Sequence, residues 1–283
     1  MTSRGARAVD RLLGGVALSC GGLLGAGCAG GLPLLHPAAT LGAGEVRAVG
    51  GFSGQFATSG LDQALRDAAA DAKARSSAPG APGTDATFAK GALVAASVAP
   101  GLAPLVGARV GLGADYEAGL IYTGRALRAD VRRSLPLSAH WAASLGVGGS
   151  AVLYGHDGNE PLPNVDLGRL HGWGADAPLV VGYQSDGGLY AAWIGARGGW
   201  ERADISLVQS APGSAELGGA PIGLSATRWW AGGLFGVAAG FRHLHVAIEV
   251  DASYASIAGS YNETETQVAG WTLTPGGSLW WRF

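Results

Sequence analysis

Charge is scarce in this 283-residue chain. Asp, Glu, Lys and Arg make up 14% of it, against roughly 25% in an ordinary soluble domain. The formal net charge is −2, so the chain offers no electrostatic case for binding nucleic acid. Cysteine is nearly absent. Cys20 and Cys28 are the two in the sequence, and both fall in its first tenth, which excludes a disulfide framework for the body. The local signatures of phosphate-binding loops, zinc peptidases and paired-cysteine metal sites are missing. His243 and His245 would share one side of a strand, but no third ligand accompanies them, so no metal and no cofactor is expected. Ser144, His245 and Asp251 are the residue types of a nucleophilic site without any distinctive motif around them. No catalytic residue is assigned, and the chain is not expected to be an enzyme.

Glycine and tryptophan are abundant instead, with 50 and 9 copies. The glycines follow no collagen-like period and suit short strands in a crowded wall. The last stretch, GWTLTPGGSLWWRF from Gly270 to Phe283, alternates. Trp271, Leu273, Leu279, Trp281 and Phe283 fall on one side. Thr272, Thr274, Ser278 and Arg282 fall on the other, as successive residues of a strand do. The apolar face begins and ends in aromatics.

This closing stretch resembles the final strand of a bacterial outer-membrane β-barrel. The bland alternative is an edge strand of a soluble β-protein. In outer-membrane barrels a terminal aromatic, preceded by apolar residues at alternate positions, is read by the assembly machinery. Leu279, Trp281 and Phe283 occupy those positions here. The resemblance implies an all-β, transmembrane, antiparallel up-and-down barrel, with outer-membrane lipid and that machinery as partners.

The start of the chain fits export. Arg4, Arg7 and Arg11 precede an apolar, glycine-rich run ending near residue 27, which reads as a signal peptide over 1–27. Leu24 to Cys28 resembles a lipobox, which makes Cys28 a candidate for lipidation, although Gly25 stands where that pattern has Leu, Val or Ile. Ordinary cleavage, for instance after Ala29, is the alternative. Residues 28–44 contain Pro33, Pro37 and several glycines, and read as a flexible tether.

Ten strands are expected in the body, 45–283: 45–57, 87–99, 105–113, 116–137, 140–154, 178–185, 188–204, 228–241, 244–259 and 270–283. Eight and twelve remain open. The pattern changes phase near Gly124, which means either a bulge in one strand or a turn between two. A short helix at 61–75 interrupts the first long loop, 58–86, and is marginal alone. The long loops at 58–86, 155–177, 205–227 and 260–269 then share one end, as outside loops do in such barrels.

Arg47, Arg109, Arg128, Asp130, Arg132, His245, Glu249, Asp251 and Arg282 fall on polar faces and are the candidate lumen lining. Charges in a narrow, low-dielectric lumen should pair. Either they fill the barrel as a salt-bridge network, or they line a pore that selects a small solute. The expected function is a structural or interaction role in the cell envelope, with a narrow passive channel or small-molecule carrier as the alternative.

Overall fold

The computed structural model describes residues 31–76, 86–153, 170–208 and 222–283. Cys28 and the signal peptide lie outside the described residues. The strands are β1 (Val46–Ala57), β2 (Gly101–Gly113), β3 (Tyr116–Tyr122), β4 (Ala126–Pro136), β5 (Trp141–Val152) and β6 (His171–Gln184). Four longer ones follow: β7 (Tyr190–Val208), β8 (Ile222–Phe241), β9 (Leu244–Tyr261) and β10 (Thr264–Arg282). Each pairs antiparallel with its sequence neighbour, and β10 returns to pair with β1 from Arg47↔Arg282 to Ala57↔Thr272. The chain is thus a closed, ten-stranded, up-and-down barrel with no free edge. Closure also leaves every wall strand with a backbone partner on both sides.

The start of β1 and the end of β10 share one rim, here called the terminal rim, where Phe283 N donates to Val46 O at 2.9 Å. Tight turns return the chain there and at the opposite, far rim. Ala114–Asp115 and Asn262–Glu263 have positive φ at both central residues, the twist that suits a two-residue hairpin.

Between β1 and β2 stand two helices, α1 (Gly60–Ser76) and α2 (Ala86–Val98). The second corrects the strand expected at 87–99. Nine of its residues, between Phe88 and Val98, are buried, while Thr87 and Lys90 near its start are exposed, so its apolar surface is too broad to stand out as a helical stripe. The stretch 116–137 corrects the count in the other direction, because it forms β3 and β4 joined by a turn at 123–125 rather than one bulged strand. The two differences cancel in the total. Residues 100–104, between the strands expected at 87–99 and 105–113, are instead largely the far end of β2. The polar stretch 260–269 is mostly strand.

Wall height is uneven. The strands β7 to β10 run 18 to 20 residues, whereas β3 has 7 and β4 has 11. The tall side carries α2 against its inner face, on Ala203, Ile205, Leu224, Ala226, Ala255 and Ile257, with α1 packed outside it through Leu61, Ala64, Ala68 and Ala72. Gly91 lets the helices touch, since a Cβ there would collide with Ala68.

On the outer wall, large apolar side chains stand in the open. Leu102, Leu145, Val147, Ile194, Phe235 and Ile248 are all more than half exposed. Aromatics rim them at two levels. Tyr116, Trp141, Tyr190, Phe241, Trp281 and Phe283 lie by the terminal rim, and Phe56, Trp173, Trp229, Tyr254 and Trp271 lie higher. On β10 the two levels, Trp271 and Trp281, are ten residues apart. That is about 25 Å of height at the usual rise and tilt, the height of an outer-membrane apolar band. Arg133, alone among the arginines of β4 in facing out, sits at the lower level with its guanidinium 5.4 Å from the centre of the Tyr116 ring. No helix among the described residues is long and apolar enough to cross a membrane, which bears on helices alone.

Candidate functional site

The inward residues of the low wall form one connected chain of ions. Arg132 pairs with Glu117 (3.0 Å), Glu117 with Arg109, Arg109 with Asp130, and Asp130 with Arg128. Arg128 continues to Asp176 (2.8 Å) and Asp176 to Arg197 (3.0 Å). Four cations alternate with three anions, all of them buried. In a narrow lumen each charge needs this compensation, because an isolated buried ion is far more costly than a paired one. Glycine makes the room. A Cβ at Gly119 would collide with the guanidinium of Arg109, and one at Gly148 with that of Arg128.

The ladder holds something. Residues 31–44, expected as a tether, run inside the barrel. Leu34, Leu35, His36 and Ala38 are almost wholly buried. An irregular segment in such a place must find partners for its backbone polar groups, and the wall charges supply them. Glu249 accepts from Leu34 N (2.6 Å) and Leu35 N (3.0 Å), and also from Trp193 Nε1 (2.8 Å). Arg132 donates to Pro37 O (2.5 Å), Ala38 O (3.2 Å) and Ala39 O (3.0 Å). Glu117 accepts from Leu41 N (2.9 Å), and Arg197 donates to Leu32 O (2.6 Å). Leu34, Leu35 and Ala38 complete the packing against Val49, Leu105, Ile121, Trp193, Leu234 and Trp280.

Above this plug, α2 points its C-terminus into the lumen. Arg125 donates to Ala96 O (2.8 Å) and Arg228 to Ser97 O (3.3 Å), so two arginines satisfy the helix's last carbonyls and face its negative end. A cavity of about 90 Å³ remains between the plug and the helix, beside Arg125, Arg197, Arg228, Trp230 and Asp251. A second, of about 410 Å³, opens at the terminal rim beside Pro37, His140, Tyr183 and Gly188.

Every lumen candidate named from the sequence faces inward. Arg109, Arg128, Asp130 and Arg132 meet in the ladder, and Glu249 holds the plug. Asp251 lies apart from them beside the small cavity. Arg47 is fully buried, without a hydrogen-bond partner on its guanidinium, and 4.6 Å from the centre of the Trp280 ring, a cation–π arrangement. Arg282 turns inward at the terminal rim. His245 bonds Gly188 O at 2.9 Å while His243 bonds Arg282 O at 3.0 Å, so different groups hold the two histidines. No group of metal-ligating residues forms among the described residues. His245 and Asp251 are six residues apart along β9, about 20 Å, so they do not converge with Ser144 on one site. Leu279, Trp281 and Phe283 face outward on the closing strand.

The sequence reading missed Glu117, Asp176, Arg197 and the plug. Arg197 lay on an expected strand, on the inward phase shared with Trp193. Asp176 was hidden in a stretch whose Gly and Pro content read as loop, although Gly174, Asp176, Pro178 and Val180 alternate with Trp173, Ala175, Ala177 and Leu179.

The chain matches no family model and no curated protein.

Proposed function

We propose that this protein is an outer-membrane barrel whose role is structural or interactive, presenting its far-rim helices and loops to the exterior with its lumen kept closed. The observation that carries the reading is the filling of the lumen by residues 32–41 below and α2 above, inside a wall whose apolar side chains face out between two aromatic levels. A passive channel, the alternative, requires the plug to leave. That step would break at least four sets of charge-assisted hydrogen bonds, each such bond contributing about 1.5–3 kcal/mol. The expected partners are outer-membrane lipid and the assembly machinery, the latter through Leu279, Trp281 and Phe283. A lipid on Cys28 belongs to the same reading, and mass spectrometry of the mature N-terminus tests it. Deleting Phe283 should lower outer-membrane yield in cells more than it lowers refolding into detergent. Catalysis has no place in the reading, and a lipase, protease and acyltransferase screen is the check.

Conductance of the protein in planar bilayers tests closure. The intact chain should be silent. A chain carrying Arg132→Ala and Glu249→Ala, which frees five backbone bonds of the plug, should flicker open. Steady conductance by the intact chain would replace this reading with the channel.

A further inference from the structure

Around the cavity of about 90 Å³ between the plug and α2, three buried donors have no hydrogen-bond partner among the described residues. Arg228 donates through Nη1 to Ser97 O (3.3 Å) and to Glu201 Oε2 (3.1 Å), but its Nε is left over. The indole N–H of Trp230 and the hydroxyl of Ser97 are the other two. All three residues line the cavity, and Arg228 is 5% exposed. A buried donor without an acceptor bears its full desolvation cost, and several beside one void point to an occupant that accepts.

Strand register gathers these groups. Trp230 stands opposite Gly199 of β7, where a Cβ would collide with the indole, so that glycine lets the ring lie against the wall. The guanidinium carbons of Arg197 and Arg228 are 5.1 and 5.8 Å from the centre of the same ring. Arg125, held to Ala96 O at 2.8 Å, brings a third guanidinium to the lining. Glu201 is already paired with Arg228 (3.1 Å). The other carboxylate on the cavity is Asp251, which stands outside the ladder and is 4% exposed. The occupant must therefore accept from several donors and also offer a proton to a carboxylate.

We propose that this cavity is a binding site for a small oxyanion that keeps a proton, with monohydrogen phosphate as the ligand that fits. Its unprotonated oxygens accept from Arg228 Nε, Trp230 Nε1 and Ser97 Oγ, in the charge-assisted bonds that arginine makes with phosphate. Its P–OH donates to Asp251, which as a carboxylate can only accept. Sulfate has the same shape but no proton at neutral pH, so it sets an oxygen against Asp251 and is repelled. A phosphodiester, such as a phospholipid headgroup, lacks the proton too and is larger than the void. The site goes beyond the envelope role and does not depend on it.

Urea unfolding of the full chain, refolded in detergent with millimolar inorganic phosphate, sulfate or dimethyl phosphate at matched ionic strength, tests this. Refolding with the anion present removes any barrier to its entry. Sulfate also controls for the general stabilisation that such salts give. The midpoint should climb with the logarithm of phosphate concentration, as a ligand of the folded state requires, and should climb no further with dimethyl phosphate than with salt alone. Trp230→Phe keeps the ring under its arginines and removes the N–H, and should raise the phosphate concentration needed at least about tenfold. Ser97→Ala is the second variant, should the first disturb folding. Asp251→Asn supplies a donor and should let sulfate act as well as phosphate. A phosphate response no larger than that of sulfate in the unaltered chain would overturn the proposal. So would a phosphate response that both Trp230→Phe and Ser97→Ala leave unchanged, and either result would leave the membrane reading intact.

Discussion

Below the level of Trp229, Tyr254 and Trp271, strands β8 to β10 turn Phe235, Val246, Ile248 and Leu279 outward and Glu249, Asp251, Thr274 and Ser278 inward. Above it the same strands turn Ser256, Ser260, Glu265 and Gln267 outward and Ala226, Ala255 and Ile257 inward. The register between β9 and β10 runs without interruption from Thr264 to Trp281, so no bulge causes the exchange. Period two fixes which residues share a face but not which face meets water. In the lower region the outside is apolar, and the inside holds ions that pair with one another and with the plug. In the upper region the outside suits water, and the inside is an ordinary apolar core around α2. The exchange falls at one aromatic level, where the proposed outer-membrane reading puts the boundary between lipid and water.

If that contrast is right, the two interiors should fail differently. Glu117→Ala removes the anion between Arg109 and Arg132 and the acceptor of Leu41 N, and should cost about 3–5 kcal/mol, as breaking a buried ion pair does. In the upper region Leu93→Ala should cost about 2–5 kcal/mol through the cavity it leaves. Urea midpoints of the refolded protein in detergent report both. Conductance separates them, since Glu117→Ala alone should also loosen the plug.

The outer faces give the next contrast. Val250→Arg, midway between the aromatic levels, should cost about 2–4 kcal/mol and impair folding into bilayers. Ala258→Arg, on the same face of the same strand above the upper level, should be tolerated. Heat-modifiable mobility of each variant is the readout, and equal tolerance would place the membrane boundary elsewhere. The smallest effect belongs to the exposed pair Arg202–Asp204 on the upper outer wall (2.9 Å). Arg202→Ala should leave the unfolding midpoint unchanged, because solvent and salt screen such pairs.

The lower region was more legible in the sequence than the upper. The alternation of Leu244 to Ser253 shows its faces directly, because an apolar exterior and an ionic interior differ as much as two faces can. In the upper region α2 is buried over most of its surface. Its sequence, ATFAKGALVAASV, carries no stripe by which a helix could be told from a buried strand. The plug was illegible for a related reason. Leu32 to Gly44 has the Pro and Gly content of a linker, and such a segment can be buried only where charged side chains meet its backbone. Those side chains come from β3, β4, β7 and β9, and no local pattern announces that they converge. Glu249 and Arg132 could be assigned to the lumen by phase alone, but what they hold there depends on closure of the wall.

The central claim is that the lower outer wall faces lipid while the lumen does not, and adjacent residues on β10 test it. Trp281 is 47% exposed on the outer face, and Trp280 is 2% exposed against the plug and Arg47. Trp281→Phe and Trp280→Phe can each be refolded into vesicles whose phospholipid chains carry bromine, which quenches tryptophan on contact. Removing Trp281 should take away strongly quenched fluorescence, and removing Trp280 should take away fluorescence that bromine does not touch. Equal quenching of both components, or a folded protein that stays in solution apart from the vesicles, would contradict the account.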